Sequence, residues 1–216
     1  MKNALLVGLL ACLAALPARA EFSLGVKAGT LGIGVEGTYT LNEKWSLRGG
    51  LNTFEYSFDD DVDDVTYDGD LDLSSVALLG DFRPTAGGFR ITGGAIINNN
   101  EIVAVADPVP TYELGENVYT LAEVGELSAD VTFDDVAPYL GIGYDFGAES
   151  NWRFGFDLGV LFQGDPEPGI NSTGGTLSND PGLRADLDAE EDSFVDDLDG
   201  FDIYPVVSLG VQYAFR

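Results

Sequence analysis

The stretch that decides the fold is Trp152-Arg153-Phe154-Gly155-Phe156-Asp157-Leu158-Gly159-Val160-Leu161-Phe162. Trp152, Phe154, Phe156, Leu158, Val160 and Phe162 hold one phase of an alternation, and Arg153, Gly155, Asp157 and Gly159 hold the other. Successive side chains of a strand point to opposite faces, so this segment reads as a strand with one large apolar face and one small, charged face. The same period runs outward in both directions. Downstream it carries Ile203, Pro205, Val207, Leu209, Val211, Tyr213 and Phe215. Upstream it carries Pro138, Leu140, Ile142, Tyr144 and Phe146, across a short turn at 147–151.

Nearer the N-terminus the apolar phases are Phe22 to Ala28, Leu31 to Leu41, Trp45 to Leu51, Val76 to Phe82, and Phe89 to Ile97. Gly29-Thr30 reads as a two-residue hairpin turn with Gly first. A phase slip near Thr53, ahead of Phe54, Tyr56 and Phe58, predicts a bulge. Residues 59–68 read as an acidic loop, and 101–130 as an irregular region with room for a hairpin of its own. Connections alternate between short and long, apart from the tight first hairpin, which is the pattern of outer-membrane barrels. The fold class expected is all-β: an eight-stranded antiparallel up-and-down transmembrane β-barrel with a short helix in the last outer loop. That helix is placed at 181–199, with Asp180 as N-cap, Pro181 as first residue and Gly200 as C-cap. Leu183, Leu187, Phe194 and Leu198 would line one side of it.

Alternation alone does not say whether the apolar face meets lipid or a core. Three features point it outward. Each strand carries an aromatic of the apolar phase near its short-turn end: Phe22, Tyr39, Trp45, Phe82, Phe89, Tyr144, Trp152 and Tyr213 among them. Rings gathered at one height form an interfacial girdle. The opposite phase is rich in glycine, including Gly34, Gly50, Gly141, Gly143, Gly155 and Gly159, which suits the crowded inside of a narrow barrel. The chain also closes in strand with Tyr213-x-Phe215, the kind of signal read by the outer-membrane assembly machinery, here followed by Arg216.

The ends and the composition narrow the function. Lys2, the apolar run Ala4 to Leu16 and Ala18-Arg19-Ala20 form a signal-peptide pattern, so residues 1–20 are expected to be cleaved and 21–216 to form the barrel, placed in the outer membrane. Cys12, the single cysteine, lies in that leader, and the chain has no His. Transition-metal ligation and His-dependent catalysis therefore lack their usual residues, and neither an enzyme nor a cofactor is expected. A formal net charge of −27 with ten Lys and Arg is wrong for neutralising phosphates, which excludes nucleic acid. A closed barrel has no free edge, so a monomer suffices.

Charge is unevenly placed. Lys27, Glu36, Arg48, Asp81, Arg83, Arg90, Asp145, Arg153 and Asp157 all fall in the polar phase, so they are expected to form a charge network in the lumen. Charges buried in so narrow a space must pair. The loops are acidic instead. Asp59, Asp60, Asp61, Asp63 and Asp64 open a run of eight Asp within 59–72, and 180–202 holds ten acids and one Arg. The Asp59-Asp61-Asp63 spacing fails as a calcium loop because Asp64 stands where a glycine is needed. Solvated acidic surface is one reading of these loops. Capture of small cationic solutes, or of divalent ions bridging to lipopolysaccharide, is the other. Outer-membrane lipid and lipopolysaccharide are the expected surroundings.

Several stretches carry a family resemblance: Thr30-Leu31-Gly32-Ile33-Gly34, Asp70-Leu71-Asp72-Leu73, Ala137-Pro138-Tyr139-Leu140-Gly141-Ile142-Gly143, Asn151-Trp152 and Phe162-Gln163-Gly164-Asp165-Pro166. In order and spacing they resemble the CarO-type small outer-membrane barrels, described as ornithine or basic-amino-acid uptake porins. The resemblance implies an eight-stranded barrel and uptake of small cationic solutes. It assigns no binding residues. The sequence thus leaves two functions open: a porin-like barrel passing or binding cations such as basic amino acids at an acidic outer mouth, and a non-conducting structural or surface-interaction barrel.

Overall fold

The structure, a computed structural model, describes residues 21–62, 65–85, 87–115, 117–147, 150–197 and 200–215, with side chains left aside at 60–62, 65, 66, 196 and 197. The expected signal peptide lies outside the described residues, as do Asp63, Asp64, Leu198 and Arg216. In chain order the elements are β1 (Glu21–Gly29), β2 (Gly32–Thr40), β3 (Trp45–Val62), β4 (Val65–Phe82), β5 (Phe89–Asn98), β6 (Glu101–Ala106), β7 (Thr111–Leu114), β8 (Asn117–Thr120), α1 (Leu121–Val124), β9 (Gly125–Thr132), β10 (Val136–Phe146), β11 (Trp152–Phe162), β12 (Glu167–Gly174), α2 (Pro181–Asp197) and β13 (Ile203–Phe215).

Eight of these strands close on themselves. Antiparallel pairing runs β1–β2–β3–β4–β5–β10–β11–β13 and returns to β1 through Phe22↔Phe215 to Gly29↔Ser208. Each pairs with its sequence neighbour within the ring, which makes an up-and-down barrel. The outward phase is exposed and apolar all round, with Leu24, Ile33, Leu51, Leu78, Leu140, Phe154 and Leu209 among its members. The aromatics of the short-turn end sit side by side: Trp45 and Phe82 have ring centroids 4.8 Å apart, Trp152 and Tyr213 5.1 Å, and Phe22 and Phe215 6.4 Å.

Four local expectations need correction. The first turn is Thr30-Leu31, because Gly29 pairs with Gly32, whose φ of 93° suits glycine. Leu31 is buried at the upper end of the lumen instead of facing outward. No bulge interrupts β3 at Thr53, since its register with β4 is unbroken from Trp45↔Phe82 to Val62↔Val65. The phase slips because the environment changes: above Thr53 the strand leaves the barrel, and Phe54, Tyr56 and Phe58 continue the inward phase. Residues 59–62 and 65–68, expected in an acidic loop, are accordingly paired strand.

The long connections also fold. β4 pairs with β5 over 75–82 and with β6 over 67–72, and the sheet then continues through β9 to β12. This outer sheet has an apolar inner face. Tyr67, Ala106, Leu127 and Ile170 on that face pack with Tyr112, Leu114 and Tyr119 of the β7–β8 hairpin, Val124 of α1, and Leu183 and Leu187 of α2. Asp180 caps α2 by accepting hydrogen bonds from the N–H of Gly182 at 2.8 Å and of Leu183 at 3.4 Å. Asp186 ties the helix to the hairpin by accepting from the Tyr119 hydroxyl at 2.5 Å and from Asn117 at 2.8 Å. Phe194, expected to line the buried side, is 43% exposed.

The described residues therefore form two hydrophobic centres, one in the barrel and one outside it. Leu183, 1% exposed, anchors the outer one. Leu183→Ala should cost the outer unit about 2–5 kcal/mol. Limited proteolysis should then cut within 165–202, while the barrel keeps its heat-modifiable migration in detergent gels. Unchanged protease resistance would contradict a separate outer core.

Candidate functional site

The lumen is built in layers that follow from the inward phase of each strand. In the lower layer, β3 supplies Arg48, β4 Asp81, β5 Arg90, β10 Asp145, β11 Asp157 and β2 Glu36. Arg48 contacts three of the carboxylates: Asp81 at 2.9 Å through Nε, Glu36 at 3.3 Å through Nη1, and Asp157 at 3.1 Å through Nη2. Arg90 shares Asp157 at 2.8 Å through Nη2 and pairs with Asp145 through Nη1. Its Nε lies 3.6 Å from Asp81, too long for a hydrogen bond. Arg83 holds the second oxygen of Asp145 at 2.9 Å, and Lys27 reaches Glu36 at 3.3 Å. Arg153 stands apart from this network and pairs with Glu21.

Sequence reasoning missed several members. Thr92 donates to Asp81 at 2.7 Å and accepts from Arg48 at 3.2 Å. Gln212 donates to Glu36 at 2.8 Å, and Ser46 accepts from Arg83 at 2.8 Å. All three lie in the inward phase of their strands, as does Glu21, so phase was the available signal. Arg48, Arg90 and Asp81 are at most 3% exposed.

An apolar layer lies above the charges. Leu31, Ala77, Leu79, Ile96, Ala137, Tyr139, Leu161 and Val206 form one buried cluster across the upper lumen. The Tyr139 ring lies along the inner wall of β10 and β11 because its neighbours there are glycines: a Cβ at Gly159 would stand 2.4 Å, and one at Gly141 2.5 Å, from the Tyr139 hydroxyl oxygen. A Cβ at Gly143 would likewise meet the Arg90 guanidinium at 2.7 Å. The inward glycines are the space that the long lumen side chains occupy.

At the outer mouth Asp134, Asp165, Glu167 and Asp202 line an open pocket of about 440 Å³ with Phe162 and Gly164. The walls are tied by backbone: Asp134 N–H donates to Gln163 at 3.0 Å, and Gln163 N–H to Asp202 at 2.9 Å. Gly164, at φ 77°, lets the turn approach Asp134, because a Cβ there would stand 2.3 Å from a carboxylate oxygen. Among the described residues no basic one lines the pocket. Asp59 lies elsewhere, on the outer face of the β3–β4 hairpin, with the backbone of Asp60 and Asp61 beyond it. On that face Glu55, Asp72 and Glu101 are directly opposite one another across three strands, and Asp59 is opposite Asp68. Like charges so placed repel. Asp107 first, then Asp59 and Asp70, push the Asp68 carboxyl above its usual range.

An antiparallel eight-stranded ring with an apolar outside and a polar inside is the architecture of an outer-membrane β-barrel. Two solved structures share it. The chain superposes on Acinetobacter baumannii CarO2 with a TM-score of 0.58 and 23% identity, covering 90% of this chain and 98% of that one. It superposes on CarO of the same organism with a TM-score of 0.56 and 25% identity, covering 89% and 97%. No protein-family model and no curated protein matches the sequence.

Two outcomes follow from this geometry. Arg48→Met leaves Glu36, Asp81 and Asp157 without their shared partner, which should cost about 3–5 kcal/mol in urea unfolding of the detergent-folded barrel; an unchanged midpoint would contradict the network's structural weight. Asp68 gives a pH dependence. A carboxyl raised in the folded state favours folding below its unfolded value, and that contribution is lost as pH rises through the folded value. Amide protection in the outer sheet, taken relative to the intrinsic exchange rate at each pH, should therefore be greater near pH 4 than near pH 7, and Asp68→Asn should flatten the difference. Lower protection at the acid end would contradict it.

Proposed function

We propose that the protein is an outer-membrane barrel that binds small cationic solutes, such as basic amino acids, at its acidic outer mouth. The observation that carries this reading is the pocket in which Asp134, Asp165, Glu167 and Asp202 converge with no basic residue among them. Backbone hydrogen bonds between its walls hold the carboxylates together, so their mutual repulsion is relieved by a bound cation. Phe162 offers a ring face to an ammonium or guanidinium group. The low dielectric of the barrel wall focuses this field on the mouth. Passage inward requires both the apolar layer and the ion-paired layer to part, since both fill the lumen here.

A second reading has its own support. The sealed lumen suits a non-conducting structural or surface-interaction barrel whose acidic outer sheet meets lipopolysaccharide through divalent ions. In either case the chain is delivered by its leader, inserted through its C-terminal strand, and stands as a monomer in outer-membrane lipid.

Calorimetric titration of the folded barrel with lysine and ornithine separates the two, with norleucine as the uncharged control. The combined variant Asp134→Asn, Asp165→Asn, Glu167→Gln and Asp202→Asn should weaken lysine binding at least about tenfold, or 1.4 kcal/mol. Equal affinity in the variant, or no binding by either, would remove the solute reading and leave the surface one.

A further inference from the structure

The outer sheet has two edges, and they are treated differently. At the β12 edge, helix α2 supplies substitutes for a missing strand. The N–H of Ile170 donates to Glu191 at 2.7 Å, and the C=O of Ile170 accepts from Arg184 at 2.9 Å. At the β3 edge, pairing with β2 stops at Ile33↔Thr53, and among the described residues no strand pairs with that side of β3 above it. The direction of the open groups follows from parity. The C=O of Lys44 accepts from Arg83 on the β4 side, while that of Trp45 accepts from Leu41 on the β2 side. With an unbroken register, even-numbered residues of β3 face β4 and odd-numbered ones face away. The N–H and C=O of Glu55, Ser57 and Asp59 thus point to the open edge.

Natural sheets guard such edges with Lys, Pro, bulges or a covering segment. From Phe54 to Asp59 this edge has neither Lys nor Pro, and its register shows no bulge. Its two faces differ in chemistry. Inward lie Phe54, Tyr56 and Phe58, stacked in series with centroids 6.5 and 6.3 Å apart. Phe54 is 43% and Tyr56 56% exposed. Outward lie Glu55, Ser57 and Asp59, backed by Asp72, Asp70 and Asp68 of β4. A second copy of this chain would set these carboxylates against their own kind, which disfavours self-pairing.

We propose that the β3 edge from Phe54 to Asp59 is a docking site for an extended peptide strand that alternates basic and apolar residues. Such a strand completes the backbone ladder at Glu55, Ser57 and Asp59. Its apolar side chains lie along the Phe54-Tyr56-Phe58 row, and its Lys or Arg side chains lie along the acidic face. The acids that keep neutral and acidic strands off the edge select this partner.

The test uses the folded protein in phosphatidylcholine nanodiscs and a short synthetic peptide alternating Lys and Val. A second peptide is N-methylated at the residues that would face β3, and a third has the same residues arranged as a Val block and a Lys block. The alternating peptide should bind, should slow amide exchange at Glu55, Ser57 and Asp59, and should bind at least about tenfold more tightly than both controls. Glu55→Lys with Asp59→Lys should abolish binding. Ser57→Pro removes one open N–H and leaves the β4 ladder intact, so it should weaken binding while outer-sheet exchange elsewhere is unchanged. Equal binding by the N-methylated or block peptide would reduce the effect to surface electrostatics and overturn the proposal. Absence of binding, or binding without protection at the three odd-numbered amides, would overturn it as well.

Discussion

Three carboxylates converge on the guanidinium of Arg48, and one of them, Asp157, is shared with Arg90. The inside of an eight-stranded barrel is too narrow to hydrate such groups, so each charge placed there obliges the next strand to supply its partner. Glu36, Arg48, Asp81, Arg90, Asp145 and Asp157 come from six different strands. Their pairing thereby fixes the relative register of strands that never touch one another. The glycines beside them follow from the same constraint, because long arginines and the Tyr139 ring need neighbours without a Cβ. Lumen neutrality leaves the net charge of the chain to the outside.

That outside is continuous with the barrel. The β3–β4 hairpin runs without a break in register from the short-turn girdle into the outer sheet. A force on the outer sheet is therefore carried by the strands that hold Arg48 and Asp81. The outer face accumulates like charges in cross-strand rows, which costs stability, while the inner face buries Leu127, Leu183 and Leu187 and offsets that cost. The acids are affordable only because this second core exists. They also set the chemistry of both the mouth pocket and the open β3 edge.

Much of this is legible in the sequence, for one reason. A membrane barrel keeps strict alternation where one face meets lipid and the other meets charge, so the strands carrying Arg48, Arg90, Asp145 and Asp157 declare their phase. Where both faces are apolar the code goes silent. Leu79, Ile96 and Leu161 sit between apolar neighbours, Leu78, Ile97 and Phe162, and nothing in the pattern says that they close the lumen. Phe54 to Phe58 mislead in the opposite way: their shift of phase marks departure from the bilayer, not a bulge. The outer core is hidden because its pieces, Tyr112, Val124 and Leu183, are far apart in sequence. The mouth pocket has the same difficulty, since Asp134 and Asp202 are far apart in sequence and meet only across the end of β11, where both bond to the Gln163 backbone.

Ion pairs and an apolar layer together occupy the lumen. Conductance of the refolded protein in planar bilayers, in symmetric salt and with folding verified by heat-modifiable migration, tests most directly whether they seal it. A silent membrane containing folded protein is the result expected of a sealed barrel. Discrete, cation-selective steps would contradict it and would require the Arg48 and Arg90 pairs to part in the working state.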